Sequence, residues 1–245
     1  IASGTRFEWI MADLAIMCAG AATTTVYPTT ISEDVSYILS DSECRVVFAE
    51  DDSQVAKLKE HKSELPHLAK VVVFEGTTDG DWIIGLEDLE KMGEEHLAAH
   101  PTAVEDAIAK IEPDHLATLI YTSGTTGRPK GCVLTHGNLR WDAVQSLAVI
   151  DELVQPSDSQ LLFLPLAHAF AKILLMANIE AGAKVGFSTG IDHLTEELAI
   201  FRPTFVAAVP RVFEKVYAGA QQKASADGKG AIFDRAAGIA AQFSR

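Results

Sequence analysis

Apolar residues recur along this chain in two alternating rhythms, one helical and one extended. Phe7, Ile10, Met11, Leu14, Met17 and Cys18 fall on one helical face. Thr5 and Glu8 have the spacing of a capping box before that face, and Gly20 is placed to end the helix. Residues 24–27 then read as a strand closed by Pro28, and Val35, Ile38 and Leu39 mark a second helix. The alternation continues with a strand at 45–49, a helix at 55–64 and a buried strand at 71–74. Residues 86–111 read as polar surface helices. Strands at 116–121 and 132–134 flank a polar run, and a helix at 138–150 follows. Beyond a polar break at 155–159, strands are expected at 161–164, 184–187 and 205–209. Helices at 169–180, 194–201 and 212–226 separate them, and another helical pattern covers 231–243. Helices alternating with strands predict a parallel α/β architecture. The break at 155–159 suggests sub-domains at residues 1–155 and 156–245.

Composition narrows the picture. The chain has 245 residues, 48% of them hydrophobic, enough for a substantial core. Runs such as 161–166 and 173–177 are too short to span a bilayer, and no secretory leader is evident. Cys18, Cys44 and Cys132 are scattered without Cys-x-x-Cys spacing, so a disulfide framework or zinc site is not expected. Cys132 is expected to be a small core residue of its strand. The formal charge is −14, with −15 carried by residues 1–115 and +1 by residues 116–245. Strong acidity argues against a nucleic-acid partner. The acid excess ends where the polar run begins, which suits anionic substrates, although acidic surface helices alone would give the same split.

The polar run at residues 121–131 is Tyr-Thr-Ser-Gly-Thr-Thr-Gly-Arg-Pro-Lys-Gly. Gly124, Gly127 and Gly131 let the backbone approach a ligand, and Thr122, Ser123, Thr125 and Thr126 offer donors for phosphate oxygens. Lys130 adds a mobile charge after the stiff Pro129. Such a loop is built to wrap a polyanion. It is neither a Walker A loop nor a Gly-x-Gly-x-x-Gly fingerprint. A plain polar turn between strands is the competing reading, which the ordered lysine-glycine end disfavours.

Elsewhere the chemistry is sparser. His96 and His100 stand at i and i+4, but no glutamate follows His96 and no third ligand is evident. A solvated helix face is the favoured reading. His168 ends an apolar strand, where a lone histidine is more often structural. Arg211, after Pro210 at a helix start, is read as structural.

The polar run closely resembles the signature loop of the AMP-forming adenylating enzymes. That superfamily contains acyl-CoA synthetases, firefly luciferases and peptide-synthetase adenylation domains. Leu164-Pro165-Leu166-Ala167-His168-Ala169-Phe170 is similar to the family's next motif. Pro203-Thr204 and the run from Val209 to Lys215 resemble the long-chain fatty acyl-CoA synthetase branch, as do Thr5 to Trp9 and Ala19 to Tyr27. The resemblance covers essentially the whole chain.

What it implies is specific. The fold would be the α/β parallel-sheet lobes of the large N-terminal domain of adenylate-forming enzymes, truncated. The activity would be ATP-dependent conversion of a fatty acid to acyl-AMP and then acyl-CoA, releasing AMP and pyrophosphate. Tyr121, Thr122, Ser123, Gly124, Thr125, Thr126, Gly127, Lys130 and Gly131 would bind the nucleotide. Thr122 would help place Mg²⁺, and Lys130 would offset charge on departing pyrophosphate. His168 would face the phosphates and acyl carbonyl in a positioning or electrostatic role, across a cleft from the loop. Coenzyme A would be the acceptor, and the location cytoplasmic, with peripheral membrane contact through the substrate.

The family's Mg²⁺ glutamate, ribose aspartate, hinge and carboxy-terminal domain would lie beyond Arg245. The chain begins at Ile1 and stops inside a helical pattern, so it reads as a piece of a longer protein and is expected to be inactive alone. Residues 167–183 are small and apolar, as an acyl channel would be, and equally as a core helix would be. Two rivals stay open. One is an adenylating ligase for another carboxylic acid. The other is a non-catalytic nucleotide-binding module.

Overall fold

The computed structural model describes residues 1–122, 127–150 and 154–243. The chain divides into two compact units, Ile1–Phe205 and Val206–Arg245. The polar break at 155–159 falls inside the first.

The first unit opens with helix α1 (Phe7–Cys18), which ends beside Gly20 in the left-handed region, as its position predicts. Its start differs from expectation. The N-cap is Arg6, with no side-chain cap, and Thr5 instead bonds to Leu164 and Leu166. The buried face also differs. Trp9, Ile10, Ala12, Asp13 and Met17 are buried, while Phe7 and Met11 are exposed. Apolar periodicity misjudged this helix because both of its faces are largely apolar, so hydrophobicity alone could not say which turns inward.

Strand β1 (Thr23–Thr25), helix α2 (Ser32–Asp41), strand β2 (Val46–Asp51) and helix α3 (Asp52–Glu60) follow. Asp51 caps α3, accepting from the amides of Ser53 at 2.9 Å and Gln54 at 3.1 Å. Strand β3 (Lys70–Glu75) is the centre of a parallel sheet in the order β2-β3-β4, with β4 at Ile83–Gly85. The short β4 was not foreseen. Val71, Val72 and Val73 are fully or almost fully buried, as a β-branched run covered on both faces should be. Val35, Ile38, Leu39, Val55 and Leu58 from the two helices complete this core. Burying each such side chain contributes about 1.5–3 kcal/mol.

Helices α4 (Leu86–Ala99) and α5 (Ala103–Ile108) bury no residue, as their polar sequence implies. The rings of His96 and His100 stack at 4.7 Å between centroids.

Strand β5 (Leu116–Thr122) pairs in parallel with β1 and antiparallel with β6 (Lys130–Thr135). The signature run is therefore the connection of a hairpin, so this sheet is mixed, within an α/β architecture otherwise parallel. Helix α6 (His136–Val149) starts from a capping box in which Thr135 and Asn138 bond reciprocally. Cys132 is exposed on β6, against the expectation of a core residue. In the order β1-β5-β6 this strand is last, and Val133 beside Cys132 is exposed as well.

Strand β7 (Ser159–Leu162) pairs in parallel with β8 (Lys184–Phe187). Between them runs helix α7 (Ala169–Ala181), and α8 (Leu194–Phe201) comes next. The strand expected at 205–209 does not form. Only Phe205 makes a single bridge, to Gln160. The second unit holds helices α9 (Pro210–Ala226) and α10 (Gly230–Phe243), where the rings of Tyr217 and Phe233 meet edge-on at 5.1 Å. Pro210 sits in the first turn of α9, where its missing amide hydrogen costs nothing. Among the described residues no helix is long and apolar enough to cross a membrane.

Candidate functional site

Strand β5 delivers the signature run, and β6 receives it. Thr122, the last residue of β5, lies opposite Lys130, the first of β6. Both are exposed. Ser123, Gly124, Thr125 and Thr126 lie outside the described residues.

The described flanks explain several residue choices. Tyr121 donates its hydroxyl to Asp41 Oδ2 at 2.6 Å, at the end of α2. Partial burial, then the Asp41 bond, raises its phenol well above the ordinary value, so it stays protonated. Its ring covers Gly131, where a Cβ would come within 3.1 Å of Cζ. A side chain there would force the ring to give by a few tenths of an ångström, so glycine is the residue that fits without a shift. Gly127 has a φ of +113°, closed to residues with a side chain. Arg128 lies over the Tyr37 ring at 4.9 Å. So Tyr121 and Arg128 turn toward α2, Arg128 while still exposed, and Lys130 and Thr122 are exposed as well.

This arrangement suits a polyanion. It offers an exposed hydroxyl, an exposed ammonium and, at Gly127, a backbone position with open space beside it. It differs from phosphate loops that run into a helix, because no helix N-terminus follows. Among the described residues no group of three or more His, Cys, Asp or Glu is placed to hold a metal. A hydroxyl such as that of Thr122 fits Mg²⁺ only as one ligand beside phosphate oxygens and water.

His168 is the N-cap of α7 and is exposed. Its Nδ1 accepts from the Phe170 amide at 3.2 Å. In the neutral tautomer that accepts this bond, the ring proton is on Nε2. The segment before it is held by two threonines. Thr5 Oγ1 donates to the Leu164 carbonyl at 2.8 Å and accepts from the Leu166 amide at 3.2 Å. Thr25 Oγ1 donates to the Ala167 carbonyl at 3.2 Å. Thr25 also pairs with Ile120 in the β1–β5 ladder. Strand β1 therefore links the residue before His168 to the strand that carries Thr122.

Helix α7 is anchored deeper in. Lys172 Nζ lies 2.7 Å from Asp13 Oδ1 on α1, and both side chains are wholly buried. Lys172 also approaches the Trp9 ring, at 5.5 Å from its centroid. Burial pushes its ammonium below the ordinary lysine value, and the Asp13 carboxylate opposes that shift. Asn178 Nδ2 donates to Gln160 Oε1 at 2.5 Å, tying the helix to β7. Ala171, Leu175 and Ala177 are buried too, so this stretch is a core helix.

Two cavities flank α1. A groove of about 810 Å³ includes Thr5, Tyr27, Pro165, Ala167 and Ser188 in its lining. Arg6, also in that groove, is neutralised by Glu8 at 2.7 Å and Glu75 at 2.5 Å. A smaller apolar cavity of about 260 Å³ lies among α1, α5, α6 and α7, with His136 and Arg140 in its lining.

Sequence reasoning missed Thr5, Asp13, Thr25 and Lys172. Thr5 was assigned to a cap it does not make. The signal for the other pair was present. Asp13 is the lone charge in the body of α1 after Glu8, and Lys172 the lone base of α7. An isolated charge inside an apolar helix asks for a buried partner.

Comparison with known proteins bears on the same residues. The pattern of the AMP-binding enzyme family matches residues 1–238. The chain is 41% identical over 244 residues to the long-chain-fatty-acid–CoA ligase FadD15 of Mycobacterium bovis, covering all of this chain and 40% of that protein. It is 32% identical over 227 residues to the mouse long-chain-fatty-acid–CoA ligase 6, covering 86% of this chain and 31% of that one. The chain thus spans well under half the length of the curated relatives it matches. In fold it resembles the anthranilate CoA ligase AuaEII in complex with anthranoyl-AMP, with a TM-score of 0.70 and 22% identity, over 90% of this chain and 40% of that one. It also resembles the long-chain-fatty-acid-CoA ligase FadD1 of Archaeoglobus fulgidus, with a TM-score of 0.68 and 19% identity, over 90% of this chain and 41% of that one. At those identities the two structures speak for the α/β fold alone. With the family pattern matched from residue 1 to residue 238, this chain belongs to the AMP-binding enzyme family.

Proposed function

We propose that this chain is the nucleotide-handling part of a long-chain fatty acid–CoA ligase. The observation that carries the reading is the hairpin itself. It presents Thr122 and Lys130 side by side, on a chain 41% identical throughout to a ligase of that name. In the first step a carboxylate oxygen attacks the α-phosphorus of ATP, and the bond to the bridging oxygen of pyrophosphate breaks. In the second, the thiol of coenzyme A attacks the acyl carbonyl and AMP leaves. The protein's task is to position the reactants and stabilise spreading charge.

In this reading the residues of the 122–131 run hold the β- and γ-phosphates, and Lys130 balances the charge gathering on pyrophosphate. Mg²⁺, when bound, neutralises phosphate charge, with Thr122 as a protein ligand. His168 offers its Nε2 proton to a phosphate or acyl oxygen, an electrostatic role rather than that of a base. Tyr121 acts through Gly131, keeping the hairpin thin, because its hydroxyl is committed to Asp41. A cytoplasmic location, with peripheral membrane contact through the fatty acid, belongs to the same reading.

The test is ATP–pyrophosphate exchange by the complete protein with a panel of acids. Exchange should require a long-chain fatty acid and be weak with short or aromatic carboxylates. Exchange driven best by an aromatic or short acid would move the protein to another branch. No exchange with any acid, despite retained nucleotide binding, would favour the non-catalytic module.

A further inference from the structure

We propose that Asp13, Lys172 and Thr5 are positioning residues for His168, gripping the 164–172 segment at its two ends, from just before α1 and from the middle of that helix. The inference rests on the reading that His168 faces the reacting groups.

Thr5 stands just before α1 and holds the start of the segment through Leu164 and Leu166. Asp13 stands in the body of α1 and holds the far end through Lys172. His168 lies between the two grips. Lys172 is one helical turn beyond it, and the Lys172 amide donates to the His168 carbonyl at 3.2 Å. A slide or rotation of α7 would therefore carry the His168 ring with it.

The ion pair is an odd choice for stability alone. Burying two charges forfeits their hydration, and an apolar pair of similar size would hold two helices as well or better. The site is not even fully satisfied. Asp13 Oδ2 and Trp9 Nε1 are buried without a partner among the described residues. What an ion pair adds over a Leu and Met contact is direction. One short charged hydrogen bond fixes register and rotation, where apolar surfaces tolerate sliding. Catalytic placement needs that kind of precision, since a displacement of about 1 Å can cost about 100-fold in rate.

The experiment uses the complete enzyme and reads fatty-acid-dependent ATP–pyrophosphate exchange beside the unfolding midpoint. The apolar replacement Asp13→Leu with Lys172→Met should keep or raise the midpoint. It should slow exchange about 10- to 100-fold, mainly in kcat with KM little changed. In a His168→Ala background the same replacement should add almost nothing, because there is no ring left to place. Thr5→Val, a near-isosteric loss of one hydroxyl, should behave the same way with a smaller slowing. It decides the matter by the same criterion if the apolar pair does not fold. Full-rate exchange by the folded apolar variant would overturn the proposal. So would a slowing that multiplies undiminished with His168→Ala, since the residues would then act elsewhere. If His168→Ala alone exchanges at the parent rate, the role given to His168 fails first, and this inference falls with it.

Discussion

The two segments that meet near Thr25 are built on opposite plans. The 121–132 hairpin carries its polar side chains on the outside, where Thr122, Arg128, Lys130 and Cys132 are all exposed. The 164–172 segment carries one exposed candidate side chain, His168, on a buried mount of Leu164, Leu166, Ala167, Ala171 and Lys172. A loop that must wrap a flexible polyanion is best made of backbone and short hydroxyls. A single ring that must meet a fixed atom is best set on a helix end that cannot shift. Damage to the first should therefore appear in rate, and damage to the second in stability as well.

The largest effect is expected in the mount. Lys172→Met alone strands the Asp13 carboxylate in a wholly buried site. Losing one member of such a pair should destabilise the first unit by about 3–5 kcal/mol, read from urea unfolding of this chain. Adding Asp13→Leu should restore that loss in full or better. A single variant as stable as the parent would mean that water or another group reaches Asp13, and the contrast between the two segments would weaken.

This contrast also separates what the sequence discloses from what it hides. The hairpin was legible because its residue types are unusual together, with glycine, hydroxyl, proline and lysine in one run. Strand β3 and helices α7, α9 and α10 were legible from periodicity and length. The mount was not. Its holding contacts join residues 5 and 164, 25 and 167, and 13 and 172. The isolated charges of Asp13 and Lys172 ask for a buried partner, but nothing local says which residue, some 140–160 positions away, supplies each of these contacts. Thr5 misled because a capping box and a tertiary clamp draw on the same hydroxyl. The expected strand at 205–209 failed for a related reason. Its apolar residues suit a strand, but only Phe205 finds a neighbouring backbone to pair with.

A second effect should leave stability alone and fall on rate. Lys130 is exposed opposite Thr122, so Lys130→Ala should leave the unfolding midpoint near that of the parent. If Lys130 offsets charge that develops as pyrophosphate departs, its loss should cost about 2–4 kcal/mol, or about 30- to 1000-fold in the adenylation step. Thioester formation from supplied acyl-adenylate should change far less, because pyrophosphate has already gone. The check is to compare ATP–pyrophosphate exchange with thiolysis of acyl-adenylate in one variant of the complete enzyme. Equal slowing of both would point to damaged structure, and unchanged exchange would remove Lys130 from the mechanism.

The smallest effect tests whether the hairpin is as open as it looks. Cys132 sits next to Gly131 on β6 and is exposed, whereas Cys18 and Cys44 are only partly so. A free thiol in an apolar strand would ordinarily be packed away, and Cys132→Ser would then cost the transfer of a buried sulfur to a polar group. An outward thiol on the last strand of the β1-β5-β6 sheet has no such packing to lose. The substitution should therefore change stability by no more than about 0.5 kcal/mol. Labelling supplies the complementary measurement. In the folded chain Cys132 should react first with a soluble disulfide reagent, because it is the most exposed of the three thiols. Reaction of Cys132 only after urea unfolding would show that β6 is covered in solution, and the hairpin would then belong with the mount rather than against it.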